Sequence, residues 1–151
     1  MEEGEIKIDK EGVWYYRGAH MFRKEILCVF FENLKIDEYG KYLIELGEEC
    51  CYLDVEDTAF VVSSVYKTKF PKDNQEYIYM VLTDDTQEKL ELSTLQFNKN
   101  NVPYCMVKKG KFRARFSSKS YYQLAEYIEQ TENEKSYFIR LNGEKCFINC
   151  Y

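Results

Sequence analysis

Ile6-Lys7-Ile8 alternates apolar and polar at period two and ends at Asp9-Lys10-Glu11-Gly12, a turn-forming stretch. Val13-Trp14-Tyr15-Tyr16 resumes the strand pattern up to Gly18, so the two runs predict a hairpin. From Met21 to Leu34 the period changes. Phe22, Ile26, Val29, Phe30 and Leu34 recur at helical spacing, and Leu27 and Phe31 widen the apolar face, predicting a substantially buried helix. After the turn Asp37-Glu38-Tyr39-Gly40, the segments Lys41–Leu46 and Cys50–Leu53 read as strands around Gly47-Glu48-Glu49.

Beyond Asp54 the pattern is mostly β. Phe60–Tyr66, Tyr77–Leu82 and Lys89–Leu95 are apolar or β-branched runs separated by Pro71-Lys72-Asp73-Asn74 and Thr83-Asp84-Asp85-Thr86. A polar loop, Asn98-Lys99-Asn100-Asn101, closes on Pro103. Tyr104–Val107 and Lys111–Phe116 read as a hairpin around Lys109-Gly110. Ser118–Gln130 reads as a second helix, with Ser120 and Gln123 at capping-box spacing and Leu124, Ala125 and Ile128 on its buried side. Tyr137–Leu141 and Cys146–Ile148 form a final hairpin on Asn142-Gly143.

The order hairpin, helix, hairpin occurs before Asp54 and again from Tyr104 onward. Tyr42-Leu43-Ile44-Glu45-Leu46 matches Tyr137-Phe138-Ile139-Arg140-Leu141, and Gly47-Glu48-Glu49-Cys50 matches Gly143-Glu144-Lys145-Cys146 with Asn142 as an extra residue. The expected fold class is α+β: two hairpin-helix-hairpin repeats with extra antiparallel strands between them. Residues 1–61 form the first repeat. Residues 62–151 supply the added strands and the second, packed with the first as one compact unit.

The first half carries Ile8-Asp9, Gly12, Trp14 and Gly18, then Phe30, Leu34, Tyr39-Gly40, Tyr42-Leu43 and Val55-Glu56-Asp57 with Ala59-Phe60-Val61. In these positions the chain resembles a bacterial family of domains of unknown function, DUF1285. Pro103-Tyr104, Gly110, Ala114-Arg115 and Tyr121-Tyr122 with Leu124 look like that family's C-terminal pattern. The resemblance implies a mixed α and β fold with repeated motifs, related in part to the pleckstrin-homology-like superfold. It implies no reaction; a role in signalling or ligand sensing is what such folds suggest. The Asn98-Lys99-Asn100-Asn101 loop departs from the pattern.

Composition narrows the function. Aromatic residues make up 17% of the chain, with 14 tyrosines, which suits half-buried strands and interfacial surface. A net charge of −5 argues against a general nucleic-acid binder. No apolar run approaches the roughly 20 residues of a membrane span, and Met1-Glu2-Glu3-Gly4-Glu5 has no signal-like character, so the chain reads as cytoplasmic. Its six cysteines then read as reduced thiols, mostly small buried apolar residues, with no C-x-x-C pair and His20 as the lone histidine. With no Walker loop, nucleophile elbow or dinucleotide fingerprint, no cofactor is expected.

Two constellations remain. Asp54, Glu56 and Asp57 gather three carboxylates; in an extended chain Asp54 and Glu56 point to one side about 6.5–7 Å apart. They are candidate ligands for a small molecule or, as the alternative function, for a metal-dependent hydrolase. The plainer reading has Val55 facing the core, Asp54 and Glu56 facing water and Asp57 holding a turn. Lys109, Lys111, Arg113 and Arg115 place cations at period two, opposite Phe112, Ala114 and Phe116. That stripe could take a small anionic ligand, or be neutralised by Glu88 and Glu91. The reading is a non-enzymatic module that binds a ligand or a protein partner, with Glu56, Asp57, Lys111, Arg113 and Arg115 as candidate contacts. Binding would fall between the halves or on the basic strand, and an exposed sheet edge could pair with another chain.

Overall fold

Asp9 builds the first turn. Its Oδ1 accepts the N–H groups of Glu11 and Val13 at 2.9 and 3.0 Å, while its own N–H reaches the Val13 carbonyl. A carboxylate that satisfies two turn amides fixes the chain reversal, with Gly12 taking the positive φ that a side chain resists. The computed structural model in which this is seen describes residues 4–150, and side chains through residue 148.

The chain divides into two compact units, Met1–Ala59 and Phe60–Tyr151. The first runs β1 (Ile6–Ile8), β2 (Trp14–Tyr16), β3 (Ala19–His20), α1 (Lys24–Glu32), β4 (Leu34–Ile36), β5 (Tyr42–Leu46), β6 (Glu49–Tyr52) and β7 (Asp54–Val55). Its sheets are β3-β2-β1-β7 and the meander β4-β5-β6. The outer pair is parallel, Lys7 opposite Asp54 and Ile8 opposite Val55, so the last strand closes on the first. Trp14, 2% exposed, anchors the core between the Phe31 ring at 5.0 Å, edge-on, and the Phe30 ring at 6.0 Å.

The second unit runs β8 (Phe60–Lys69), β9 (Glu76–Leu82), β10 (Gln87–Lys89), a 3-10 turn (Leu92–Thr94), β11 (Gln96–Phe97), β12 (Pro103–Val107), β13 (Phe112–Phe116), α2 (Ser118–Ala125), β14 (Ile128–Gln130), β15 (Tyr137–Leu141), β16 (Glu144–Phe147) and β17 (Asn149–Cys150). Seven strands form one sheet in the order β10-β9-β8-β13-β12-β11-β17, and β14-β15-β16 is a second meander. Phe60, Val62, Ile78, Met80, Leu82, Cys105 and Ala114 are buried on the sheet. The register of β8 against β9 shifts between Val62 and Ser64, and α2 is pinned at that bulge. Ser120 donates to the Val62 carbonyl at 2.7 Å, and Gln123 Oε1 accepts the Val65 N–H, also at 2.7 Å. Glu76 and Asn142 exchange three hydrogen bonds, which ties the β15–β16 turn to β9.

The fold is α+β and mostly sheet, with two α-helices among the described residues. Several expectations change in detail. The first helix starts at Lys24, and Leu34 belongs to a strand. The helix turns Phe30 and Phe31 toward Trp14, which leaves Phe22, Ile26 and Val29 at 74%, 40% and 45% exposed on the face expected to be buried. The second helix ends at Ala125, and Ile128 is strand. Its cap is Ser117, whose Oγ accepts the Ser120 N–H; Ser120 and Gln123 serve β8 instead. Leu92–Thr94 is a 3-10 turn within the run expected to be a strand. Asn142 is not an extra residue. Leu46 pairs with Glu49 and Leu141 with Glu144, so both hairpins turn on two residues. The positive-φ glycine comes first in one, Gly47, and second in the other, Gly143 after Asn142. Of the cysteines with described side chains, Cys51 and Cys105 are buried, whereas Cys28 and Cys50 are exposed.

Asp37 repeats the device of Asp9 between β4 and β5. Its carboxyl lies below the ordinary aspartate range, chiefly through the Lys41 N–H, with help from the Tyr39 N–H and the Tyr52 hydroxyl. Asp73 and Glu76 are lowered too, by the Tyr77 hydroxyl and the Lys67 ammonium first. A carboxyl depressed in the folded state adds stability above its unfolded pKa, and that stability is lost as pH falls through the folded value. Urea unfolding should therefore weaken progressively below about pH 4, and Asp37→Asn, which keeps the Oδ1 acceptor, should flatten part of that loss.

Candidate ligand-binding sites

The acidic stretch is assembled by β7. Asp54 is exposed and lies 3.8 Å from Lys7 Nζ; Val55 is half-buried; Glu56 is exposed. The Glu56 N–H donates to the Ile8 carbonyl, and Glu56 Oε2 accepts the Lys10 N–H at 2.8 Å. The carboxylate thus grips the same turn that Asp9 organises, from the opposite strand. Asp57 is half-buried beside the buried Thr58 and Ala59. Among the described residues no group of three or more His, Cys, Asp or Glu side chains converges as a metal site. Asp54 and Glu56 are engaged with Lys7 and the turn.

The cationic stripe is distributed differently. Lys108 is held by Asp84 Oδ2 at 2.7 Å and by the Thr86 hydroxyl, and its N–H is accepted by Glu88. Glu91 lies 3.9 Å from Lys89. The carboxylates expected to neutralise the stripe are therefore occupied elsewhere. Lys109 and Lys111 are exposed in the hairpin loop, where Lys108, Lys109 and Gly110 all take positive φ. Arg113 and Arg115 share one face of β13, opposite Met106 and Tyr104 on β12. The Arg113 guanidinium lies over the Tyr104 ring, 3.7 Å from its centroid. Arg113 makes no ion pair among the described residues, and Arg115 is half-buried. Charge is segregated along the chain. The first 59 residues hold 7 Lys/Arg against 15 Asp/Glu, a formal −8, and the rest hold 14 against 11, a formal +3.

Sequence reasoning missed two concave surfaces. In the first unit a cavity of about 380 Å³ opens beside Tyr16, His20, Phe22, Ile26 and Phe30, along the exposed face of α1. In the second, a cavity of about 320 Å³ lies between α2, β11 and the β14-β15 meander, lined by Phe97, Tyr121, Ala125, Ile128 and Tyr137 among others. Those residues are scattered over 97–148, so no local spacing marked them. The thiols offer no nucleophile at the sheet core: burial pushes Cys105 up to about 12, and its Sγ rests 3.5 Å from Met80 Sδ. No helix among the described residues is long and apolar enough to cross a membrane.

No protein-family model matches the chain, and no curated protein matches it. Among solved structures it is similar to a DUF1285 family protein from Silicibacter pomeroyi DSS-3, with a TM-score of 0.75 and 18% identity over 97% of this chain and 79% of that one. It is also similar to a DUF1285 family protein from Shewanella baltica OS155, with a TM-score of 0.65 and 14% identity over 82% of this chain and 91% of that one. The chain therefore has a DUF1285-like fold.

If Glu56 serves the turn, a neutral acceptor should replace it. Glu56→Gln should leave the urea midpoint near the parent's, and Glu56→Ala should cost about 1 kcal/mol, the worth of one hydrogen bond. Equal losses in the two variants would place the role in the charge.

Proposed function

We propose that this DUF1285-like chain is a non-enzymatic binding module whose cationic β13 face meets a small anionic ligand. One observation carries the reading: the Arg113 guanidinium lies over the Tyr104 ring, 3.7 Å from its centroid, with no carboxylate partner among the described residues. A stacked guanidinium is pre-oriented and loses little freedom on binding, and its N–H edges suit the paired oxygens of phosphate or carboxylate. Arg115 lies two residues along the same strand and Lys111 in the adjoining hairpin loop, and the +3 charge of this unit favours an anion. The metal-dependent hydrolase alternative has no comparable support, because Asp54 and Glu56 are committed to Lys7 and the β1–β2 turn.

The same reading treats the chain as a structural repeat. Asn98 Oδ1 accepts the Asn100 and Val102 N–H groups, as Asp9 does those of Glu11 and Val13. Gln96 and Phe97 pair in parallel with Asn149 and Cys150, as Lys7 and Ile8 do with Asp54 and Val55. The Leu53 N–H reaches the Tyr42 carbonyl, and the Ile148 N–H that of Tyr137. These correspondences favour a second copy that starts at Gln96 rather than at Tyr104. The seven-stranded sheet of the second unit, with α2 packed on β8, is the feature that favours a pleckstrin-homology-like relationship.

Tripolyphosphate is a suitable probe. Isothermal titration should show saturable binding, weakened at least tenfold by Arg113→Glu with Arg115→Glu, since each charge-assisted contact is worth about 1.5–3 kcal/mol. An unchanged affinity in the folded double variant would refute the site.

A further inference from the structure

We infer that the cavity of the second unit is a binding site for a neutral, planar, ring-sized molecule, a free nucleobase or an indole in scale, and is distinct from the cationic face. The comparison behind it rests on the correspondence of the two units proposed above; the cavity itself does not.

Backbone register identifies what fills the same place in the first unit. Trp14 is paired with Ile8 on β1–β2, and Pro103 holds that position opposite Phe97 on β11–β12. The N-caps are Arg23 and Ser117, and the eighth residue after each is Phe31 in α1 and Ala125 in α2. Trp14 and Phe31 form the edge-on aromatic pair at the centre of the first core. Their counterparts in the second unit are proline and alanine, so two large rings are missing from the equivalent space. Phe97 and Tyr121, which replace Ile8 and Leu27, restore part of that volume as a wall, with ring centroids 5.8 Å apart. A cavity of about 320 Å³ remains. That is within the range of small-molecule sites and well beyond the few water-sized voids of a close-packed interior.

The lining selects the ligand. Phe97, Tyr121 and Tyr137 present rings, and Ala125, Ile128 and Ile148 complete an aliphatic floor. No lining residue among the described ones is charged, so an ion would enter without a counter-charge, at high desolvation cost. Polar groups are nevertheless present. The Asn101 side chain and the Tyr121 hydroxyl make no hydrogen bond among the described residues, and Tyr137 Oη accepts one from Gln130 Nε2 at 3.4 Å. A flat ring with donors and acceptors on its edge stacks on the aromatic wall and satisfies the amide and the hydroxyl together. Arg113 and Arg115 alternate with Ala114 on β13 and so face away from the core side on which Phe97, Pro103 and Phe116 lie. The two sites are thus separable.

Adenine and indole test the inference by ¹H–¹⁵N NMR titration of the full chain. At least one should give saturable shifts confined to the amides around Phe97, Asn101, Tyr121, Ala125 and Tyr137. Ala125→Phe, which restores the first unit's residue, should weaken binding at least tenfold; Ala125→Leu serves the same end if the larger ring prevents folding. Arg113→Glu with Arg115→Glu should leave these shifts unchanged, which separates this site from tripolyphosphate binding. No saturation with either probe, or undiminished binding in a folded Ala125 variant, would overturn it.

Discussion

A closing parallel pair, β1 with β7 in the first unit and β11 with β17 in the second, is the constraint on which the hairpin, helix and meander that it encloses depend. Lys7-Ile8 against Asp54-Val55, and Gln96-Phe97 against Asn149-Cys150, are only two residues long. A pair that short needs help. In the first unit it comes from the Glu56 N–H on the Ile8 carbonyl and from the Glu56 carboxylate on the Lys10 N–H, beside the turn that Asp9 already fixes. Once both ends are held, the hairpin, helix and meander between them are enclosed. The helix then covers the space beside the hairpin, and what fills that space decides the character of each unit.

That filling differs. In the first unit Trp14 and Phe31 pack edge-on, and Trp14 Nε1 is buried without a hydrogen-bond partner among the described residues, an unfavourable burial outweighed by ring packing. In the second unit Ala125 lines a cavity beside Phe97 and Tyr121. Two rings thus occupy the space beside the hairpin in the first unit, whose own cavity lies along the exposed face of α1, whereas the second unit has a ligand-sized space between α2, β11 and the β14-β15 meander.

Much of the fold was legible in the sequence. The Asp9 and Asn142-Gly143 turns and the strands Phe60–Tyr66 and Tyr77–Leu82 all follow from local chemistry: side-chain acceptors, turn dipeptides and β-branched runs. Short strands were not legible. Leu34–Ile36 and Ile128–Gln130 continue directly from helices and carry too few residues to show a period of two, so both were absorbed into the helical pattern. The buried face of α1 is narrower than the helical spacing of Ile26, Val29, Phe30 and Phe31 implies, because packing on Trp14 selects Phe30 and Phe31 and leaves Ile26 and Val29 exposed. Among candidate sites, the acidic stretch was visible as a cluster and became a brace for a turn. The cavity was invisible, because its lining residues are scattered over 97–148.

That the second unit has room beside Ala125, where Phe31 packs on Trp14 in the first, is tested most directly by urea unfolding of two reciprocal variants. Phe31→Ala should cost about 3–5 kcal/mol, as expected for removing a packed ring. Ala125→Phe should cost less than about 1 kcal/mol or stabilise, because the ring enters existing space. A loss in Ala125→Phe of several kcal/mol, comparable to that in Phe31→Ala, would contradict the account.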